Sequence, residues 1–137
     1  VLLLSNASLL NQDFINSGFI DHAKTEGIKV VGRSIYTLGI IFRDEKFWRE
    51  YPKSVREMLA EIISFSNGHQ IPISSIALRF VLNKANVDEV IIGVNSTEQL
   101  INNISDDSHC ELDGLLSYCS EQSKHWDSRM FRPELWA

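Results

Sequence analysis

A chain of 137 residues has the size of one ordinary domain, enough to bury a core and too little for two large ones. Its composition, 44% apolar and 23% charged with seven Gly and three Pro, excludes collagenous, low-complexity and disordered classes. Thirteen Lys and Arg against eighteen Asp and Glu leave a net charge of −5, the wrong sign for a phosphate-backbone binder, so neither nucleic acid nor an anionic membrane is an expected partner.

No apolar stretch approaches the ~20 residues of a transmembrane helix, and the hydrophobic run at residues 1–4 lacks the basic flank of a signal peptide. Cys110 and Cys119 are too few for a disulfide scaffold and match no zinc spacing, which predicts a reduced, cytoplasmic setting. A start at Val1, directly in an apolar run, predicts a fragment of something longer.

Taken in chain order, Val1-Leu2-Leu3-Leu4 reads as a fully buried strand ended by the turn residues Ser5 and Asn6. Asn11-Gln12-Asp13 then leads into Phe14, Ile15, Phe19, Ile20 and Ala23, a helical spacing that stops with Gly27 at C′. Residues 28–33 read as a second buried strand. Residues 34–51 form a long connection with Gly39, Tyr36, Phe42, Phe47 and Trp48, a length usual for functional loops or lids.

Pro52 opens a helix whose stripe, Val55, Met58, Leu59, Ile62 and Ile63, ends near Asn67-Gly68. Pro72 opens another, with Ile73, Ile76, Ala77, Phe80 and Val81. Residues 87–92 form the third strand, which ends at Gly93. Ser96-Thr97-Glu98-Gln99 has the form of a capping box and predicts a helix from Thr97 through Ile104. Ser108 to Glu111 repeats that form and predicts a last helix to about Gln122. The tail, residues 124–137, contains Pro133 and is expected to be an ordered strap.

Buried strands alternating with amphipathic helices give βαβαβα, an α/β fold with a parallel sheet. In such folds ligands sit on the loops after the strands' carboxyl ends, here the segments beginning at Ser5, Ser34 and Gly93.

Three segments carry a resemblance. They are residues 27–39 (Gly-Ile-Lys-Val-Val-Gly-Arg-Ser-Ile-Tyr-Thr-Leu-Gly), residues 75–82 (Ser-Ile-Ala-Leu-Arg-Phe-Val-Leu), and residues 90–100 (Val-Ile-Ile-Gly-Val-Asn-Ser-Thr-Glu-Gln-Leu) with Asn102-Asn103. In this order the chain resembles the second half of an aldo/keto reductase, a (β/α)8 barrel using a nicotinamide cofactor. Residues 1–12 are similar to the sixth strand and its loop, and Arg132, Pro133 and Trp136 resemble the family's C-terminal strap. The resemblance covers about residues 1–105.

It implies one partial-barrel fragment over residues 1–137. The βαβαβα units occupy residues 1–105, the C-terminal helix residues 106–123 and the tail strap residues 124–137, with the barrel not closed within the chain. It also implies that the catalytic Asp, Tyr, Lys and His lie on earlier strands, so that no catalytic residue is expected here and the fragment alone is inactive. Three strands cannot close a barrel, and their open edges predict self-association. The parent would act on a small-molecule carbonyl substrate with NADP or NAD. The fragment, with an incomplete nicotinamide pocket, is expected to bind either weakly or not at all.

By the same resemblance, cofactor contacts are expected from Arg33, Ser34, Tyr36, Gly93, Asn95, Gln99 and Asn103. Ser34 matches a hydroxyl near the pyrophosphate, with the alternative of a loop-capping Ser. Arg33 stands where many members carry an aromatic that stacks on the nicotinamide, and its alternative is a surface or salt-bridged Arg. Gly93, Asn95, Gln99 and Asn103 fall on the turn and helix start that would hold the adenosine ribose or phosphate. Asn103 matches an adenine-contacting Asn, and Gln99 doubles as the capping partner of Ser96. Members preferring NADP bring Lys or Arg to the positions of Gly93 and Gln99; this chain has neither. Leu4 replaces the family's carboxamide-binding Gln.

His22, His69, His109 and His125 have no ligand spacing, and no metal site is expected. Cys119 reads as a small buried thiol. Trp48, Trp126 and Trp136 either line a substrate mouth in a complete barrel or cover core. Asp44-Glu45 and Asp106-Asp107 read as solvated faces. Three readings follow: the C-terminal segment of an aldo/keto reductase-like oxidoreductase, a non-catalytic binding or regulatory module on the same fold, or an unrelated open α/β domain.

Overall fold

The computed structural model describes residues 1–5, 7–104, 112–125 and 127. Three strands, β1 (Leu2–Ser5), β2 (Val30–Arg33) and β3 (Glu89–Ile91), form one parallel sheet in the order β1-β2-β3. Leu4 lies beside Gly32, and Gly32 beside Val90. All three carboxyl ends therefore point the same way, as the βαβαβα reading requires. The sheet is unclosed.

Side chains alternate along strands, so Leu4, Gly32 and Val90 share the face that meets helices. A Cβ on Gly32 would stand 3.4 Å from Val81 of the covering helix, an ordinary contact distance, so that helix packs directly over the strand. The opposite face carries Leu3 and Ile91, 56% and 55% exposed. Outer strands expected to be fully buried are therefore covered on one side only. An apolar run looks the same in sequence whether one face or both are covered. β3 is also shorter than the expected 87–92, and its flanking Ile92 is half-buried.

After β1, the expected single helix is broken in two, α1 (Asp13–Asn16) and α2 (Phe19–Thr25). Gly18, at φ 72°, takes the left-handed conformation between them, which glycine adopts without a Cβ penalty. Gly27 follows α2 at φ 71° as expected. Ile20 and Ala23 of α2 cover Leu4 and Val30 in a small core cluster. The long connection folds as a 3-10 helix (Thr37–Phe42) and α3 (Glu45–Trp48), which Asp44 caps by accepting the Phe47 N–H at 3.0 Å. Trp48 is buried, and its indole N–H donates to the Ile40 carbonyl at 3.2 Å, fastening this strap to the core.

α4 (Lys53–His69) buries Val55, Met58, Leu59, Ile62 and Ser66 on one stripe. It runs past Gly68 because the chain turns at Gln70, in the left-handed region at φ 56°. There Ser66 Oγ donates to the Ile71 carbonyl at 2.6 Å. α5 (Ile73–Lys84) buries Ile76, Ala77, Phe80 and Val81, as its period predicts. α6 (Thr97–Ile104) matches its expected bounds but buries no residue, and Leu100, Ile101 and Ile104 are exposed. α7 (Asp113–Ser123) packs Leu115, Leu116 and Cys119 into the main cluster with α4 and α5. The expected helix start at Ser108 and the tail strap with Trp126, Arg132, Pro133 and Trp136 lie outside the described residues.

At the opposite end from the strands' carboxyl termini, Asp88 ties three elements together. Its carboxylate accepts the Val30 N–H at 2.8 Å and pairs with Lys24 of α2 at 3.0 Å. Those bonds, with the Val30 bond foremost, hold its carboxyl below the ordinary 3.8.

Candidate functional site

Because the strands are parallel, the loops after β2 and β3 emerge at one edge, and a cleft of about 630 Å³ opens between them. The loop after β2 and the 3-10 helix contribute Ser34, Ile35, Tyr36, Gly39 and Phe42. Ile92, Gly93 and Asn95 come from the turn after β3, Gln99, Asn102 and Asn103 from α6, and Pro72 and Ser74 from the start of α5. Six of the seven residues singled out in the sequence thus meet at one cleft. The seventh, Arg33, is exposed outside that lining, and its Nε donates to Ser5 Oγ of the neighbouring strand at 2.6 Å.

Local geometry explains the arrangement. Ser34 takes φ 57° and its carbonyl accepts the Thr37 N–H at 3.0 Å, closing a tight turn directly after β2. Thr37, itself at φ 49°, is buried, and its hydroxyl pairs with Ser8 Oγ at 2.9 Å. Ser8 Oγ also accepts the Asn11 N–H at 3.1 Å, so the loop after β1 braces the loop that forms one cleft wall. Non-glycine residues in the left-handed region cost energy and persist where surrounding bonds hold them.

Tyr36 and Phe42 form an aromatic wall with ring centroids 5.3 Å apart. Burial raises the Tyr36 hydroxyl above its usual 10.0, so it stays protonated at neutral pH. The turn into α6 is self-capped. Ser96 Oγ accepts the Gln99 N–H at 3.2 Å, as the capping box predicts, but Gln99 Oε1 accepts the N–H of Asn95 at 2.8 Å instead of that of Ser96. The reciprocal bond reaches one residue further back and tightens the turn that carries Asn95.

Other singled-out groups lie elsewhere. Leu4 faces α2 in the small cluster, away from the cleft. Cys119 is buried, and its thiol is pushed up to about 12, mainly by loss of water contact. His69 stacks on Phe65 with centroids 4.0 Å apart, and His125 lies 3.9 Å from Glu121. Among the described residues no three His, Cys, Asp or Glu side chains gather as a metal site, and no helix is long and apolar enough to cross a membrane. His109 and Cys110 lie outside the described residues.

Beyond the six singled-out residues, the cleft is lined by Ile35, Gly39, Phe42, Pro72, Ser74, Ile91, Ile92 and Asn102, none of which the sequence marks as a cofactor contact. Only Asn102 leaves a local signal, since it stands three residues after Gln99 on the same helix face. The others reach the cleft through tertiary packing.

The sequence profile described as the aldo/keto reductase family matches residues 2–113. The chain belongs to the aldo/keto reductase family. No curated protein gives a significant match. Three parallel strands in an unclosed sheet, covered by helices on one face, are consistent with part of the barrel of an aldo/keto reductase. The family match extends to residue 113, beyond the resemblance over about residues 1–105.

Proposed function

We propose that this chain supplies the adenosine-holding side of the cofactor site in a nicotinamide-dependent aldo/keto reductase. The single observation that carries this reading is the convergence of Ser34, Tyr36, Gly93, Asn95, Gln99 and Asn103 on one cleft. Its volume, about 630 Å³, falls in the range of small-molecule sites. The residues fit the group. Asn95, Gln99, Asn102 and Asn103 offer amides suited to base and ribose edges, Tyr36 and Phe42 offer an aromatic wall, and the Ser34 hydroxyl stands at the turn where the pyrophosphate would lie.

When bound, the nicotinamide supplies the hydride exchanged with an aldehyde or ketone. This chain's residues bind and orient the cofactor's far end, and the acid that protonates the carbonyl oxygen belongs to strands outside these three. Support for that division comes from the count, since a complete barrel has eight strands. The affinity of the chain alone is accordingly weak. Addition of NADH to labelled chain should shift the amides of Ser34, Gly93, Asn95 and Asn103 together, with no turnover of an added aldehyde. Scattered shifts, or turnover, would contradict the reading.

Arg33 favours a second reading. Its guanidinium is drawn to Ser5 and away from the cleft, as suits a non-catalytic binding module that kept the fold. Sequence preceding Val1 with Asp, Tyr, Lys and His in the family's order decides for the enzyme. Among the described residues β1 and β3 each have one neighbouring strand, and we propose that these edges self-associate in a reduced, cytoplasmic setting. Sedimentation should then show species larger than a monomer, growing with concentration.

A further inference from the structure

Residues 7–12, in the loop after β1, are buried as deeply as the core. Ala7, Ser8, Leu9 and Leu10 have no solvent exposure, and Asn11 and Gln12 have 3% and 2%. Loops ordinarily run over the surface because buried backbone needs partners, and here the partners are internal. The Ser8 N–H donates to the Asn11 carbonyl at 2.9 Å, the Asn11 N–H returns to Ser8 Oγ at 3.1 Å, and Gln12 Nε2 donates to the Leu9 carbonyl at 3.0 Å. The Ser8 hydroxyl is thereby fixed where it meets Thr37 Oγ1 at 2.9 Å. Thr37 is the strained partner. It is β-branched and left-handed, at φ 49°, where a Cβ crowds the backbone. Its side chain is fully buried, so its hydroxyl depends on Ser8 in place of water.

We propose that Ser8 and Thr37 are positioning residues: their hydroxyl bond holds Thr37 in its left-handed conformation and so sets the cleft wall formed by Ser34 and Tyr36. The inference rests on the cofactor reading above only in what that wall is set to receive. Neither Ser8 nor Thr37 lines the cleft. The Thr37 N–H closes the turn on the carbonyl of Ser34, and Tyr36 stands between these two left-handed residues. The Tyr36 hydroxyl has no hydrogen-bond partner, so the backbone turn, and no polar bond of the side chain itself, places this part of the wall. A left-handed residue other than glycine persists only where its surroundings over-determine it. Two groups do so here, the Ser34 carbonyl and the Ser8 hydroxyl. Glycine adopts the same conformation without a Cβ penalty, so the hydroxyl bond is needed because residue 37 carries a side chain.

The test makes Thr37→Val, Thr37→Ser and Thr37→Gly in the full 137-residue chain. Each is read by amide exchange at residue 37 and by NADH titration followed at the amides of Ser34 and Gly93, with circular dichroism confirming the fold. Thr37→Val keeps the branched shape and deletes the hydroxyl. It should speed exchange at residue 37 about tenfold and weaken NADH by a similar factor, since apparent affinity falls with the fraction of molecules that hold the turn. Thr37→Ser keeps the hydroxyl and Thr37→Gly removes the strain, so both should stay within about twofold of the unmodified chain. A side chain that matters only as buried volume predicts the opposite order, with Val nearest the unmodified chain and Gly furthest. That order would overturn the positioning role, as would three variants indistinguishable from the unmodified chain. NADH shifts absent from the unmodified chain would overturn the cofactor reading, and the order of exchange rates at residue 37 would still decide the role of Ser8 and Thr37.

Discussion

Phe80 and Leu82 stand two residues apart on α5 and face opposite ways, which makes them a paired test of which side of that helix holds the molecule together. Phe80 has no solvent exposure and sits in the main cluster with Met58, Leu59 and Ile76, whereas Leu82 is 52% exposed. Phe80→Ala removes a fully buried ring and leaves a cavity, which costs about 3–5 kcal/mol. Leu82→Ala removes a side chain already half in water and should cost less than about 1 kcal/mol. Domains of this size are stable by only about 5–15 kcal/mol. With a urea slope of about 1–3 kcal/mol per molar, the Phe80 variant should therefore unfold at least about 1 M earlier. Trp48 is buried in the same cluster, so tryptophan emission and far-ultraviolet circular dichroism can be followed together. Equal midpoints for the two variants, or a larger loss for Leu82→Ala, would refute the assignment of α5's buried face.

Three further outcomes are expected. Folding lowers the Asp88 carboxyl below its ordinary 3.8, so its contribution is present above the unfolded value and disappears as pH falls through the folded one; Asp88→Asn should melt earlier at pH 7, and its melting point should converge on that of the unmodified chain as the pH is lowered through the folded value. The Cys119 thiol, pushed up to about 12 and buried, should resist alkylation at pH 8 in the folded chain and react once guanidinium unfolds it, as peptide mapping would show. Ser96→Ala removes the acceptor for the Gln99 N–H and should weaken α6 by about 0.5–2 kcal/mol, visible as faster amide exchange in α6 with little change in global melting, since that helix buries no residue.

The sequence made the helices with a hydrophobic stripe legible. α4 and α5 follow the periods of Val55 to Ile62 and Ile76 to Val81 because those side chains are buried, and the starts at Pro52 and Pro72 fall where a missing N–H costs nothing. The parallel order was legible too, since residues after each strand had to reach the same edge for Ser34 and Gly93 to meet. What the chain hid were properties of pairs and faces. Leu3 and Ile91 read as core residues, yet their exposure is decided by what covers the far side of the sheet. Gly18 carries no mark separating a helix break from a tolerated interior glycine, and only its positive φ distinguishes them. The preference of Arg33 for Ser5 depends on the β1–β2 register, which no local pattern states. Phe42, Pro72 and Ser74 enter the cleft because the strap and α5 are folded beside it.

Everything assigned to the cleft depends on three strands running in one direction side by side. Nuclear Overhauser contacts in the labelled chain test that arrangement directly. They should place Leu4 beside Gly32 and Gly32 beside Val90 in parallel register, bringing Ser34 and Gly93 to the same end of the sheet. Antiparallel contacts between any two of these strands, or β3 lying next to β1, would contradict the account.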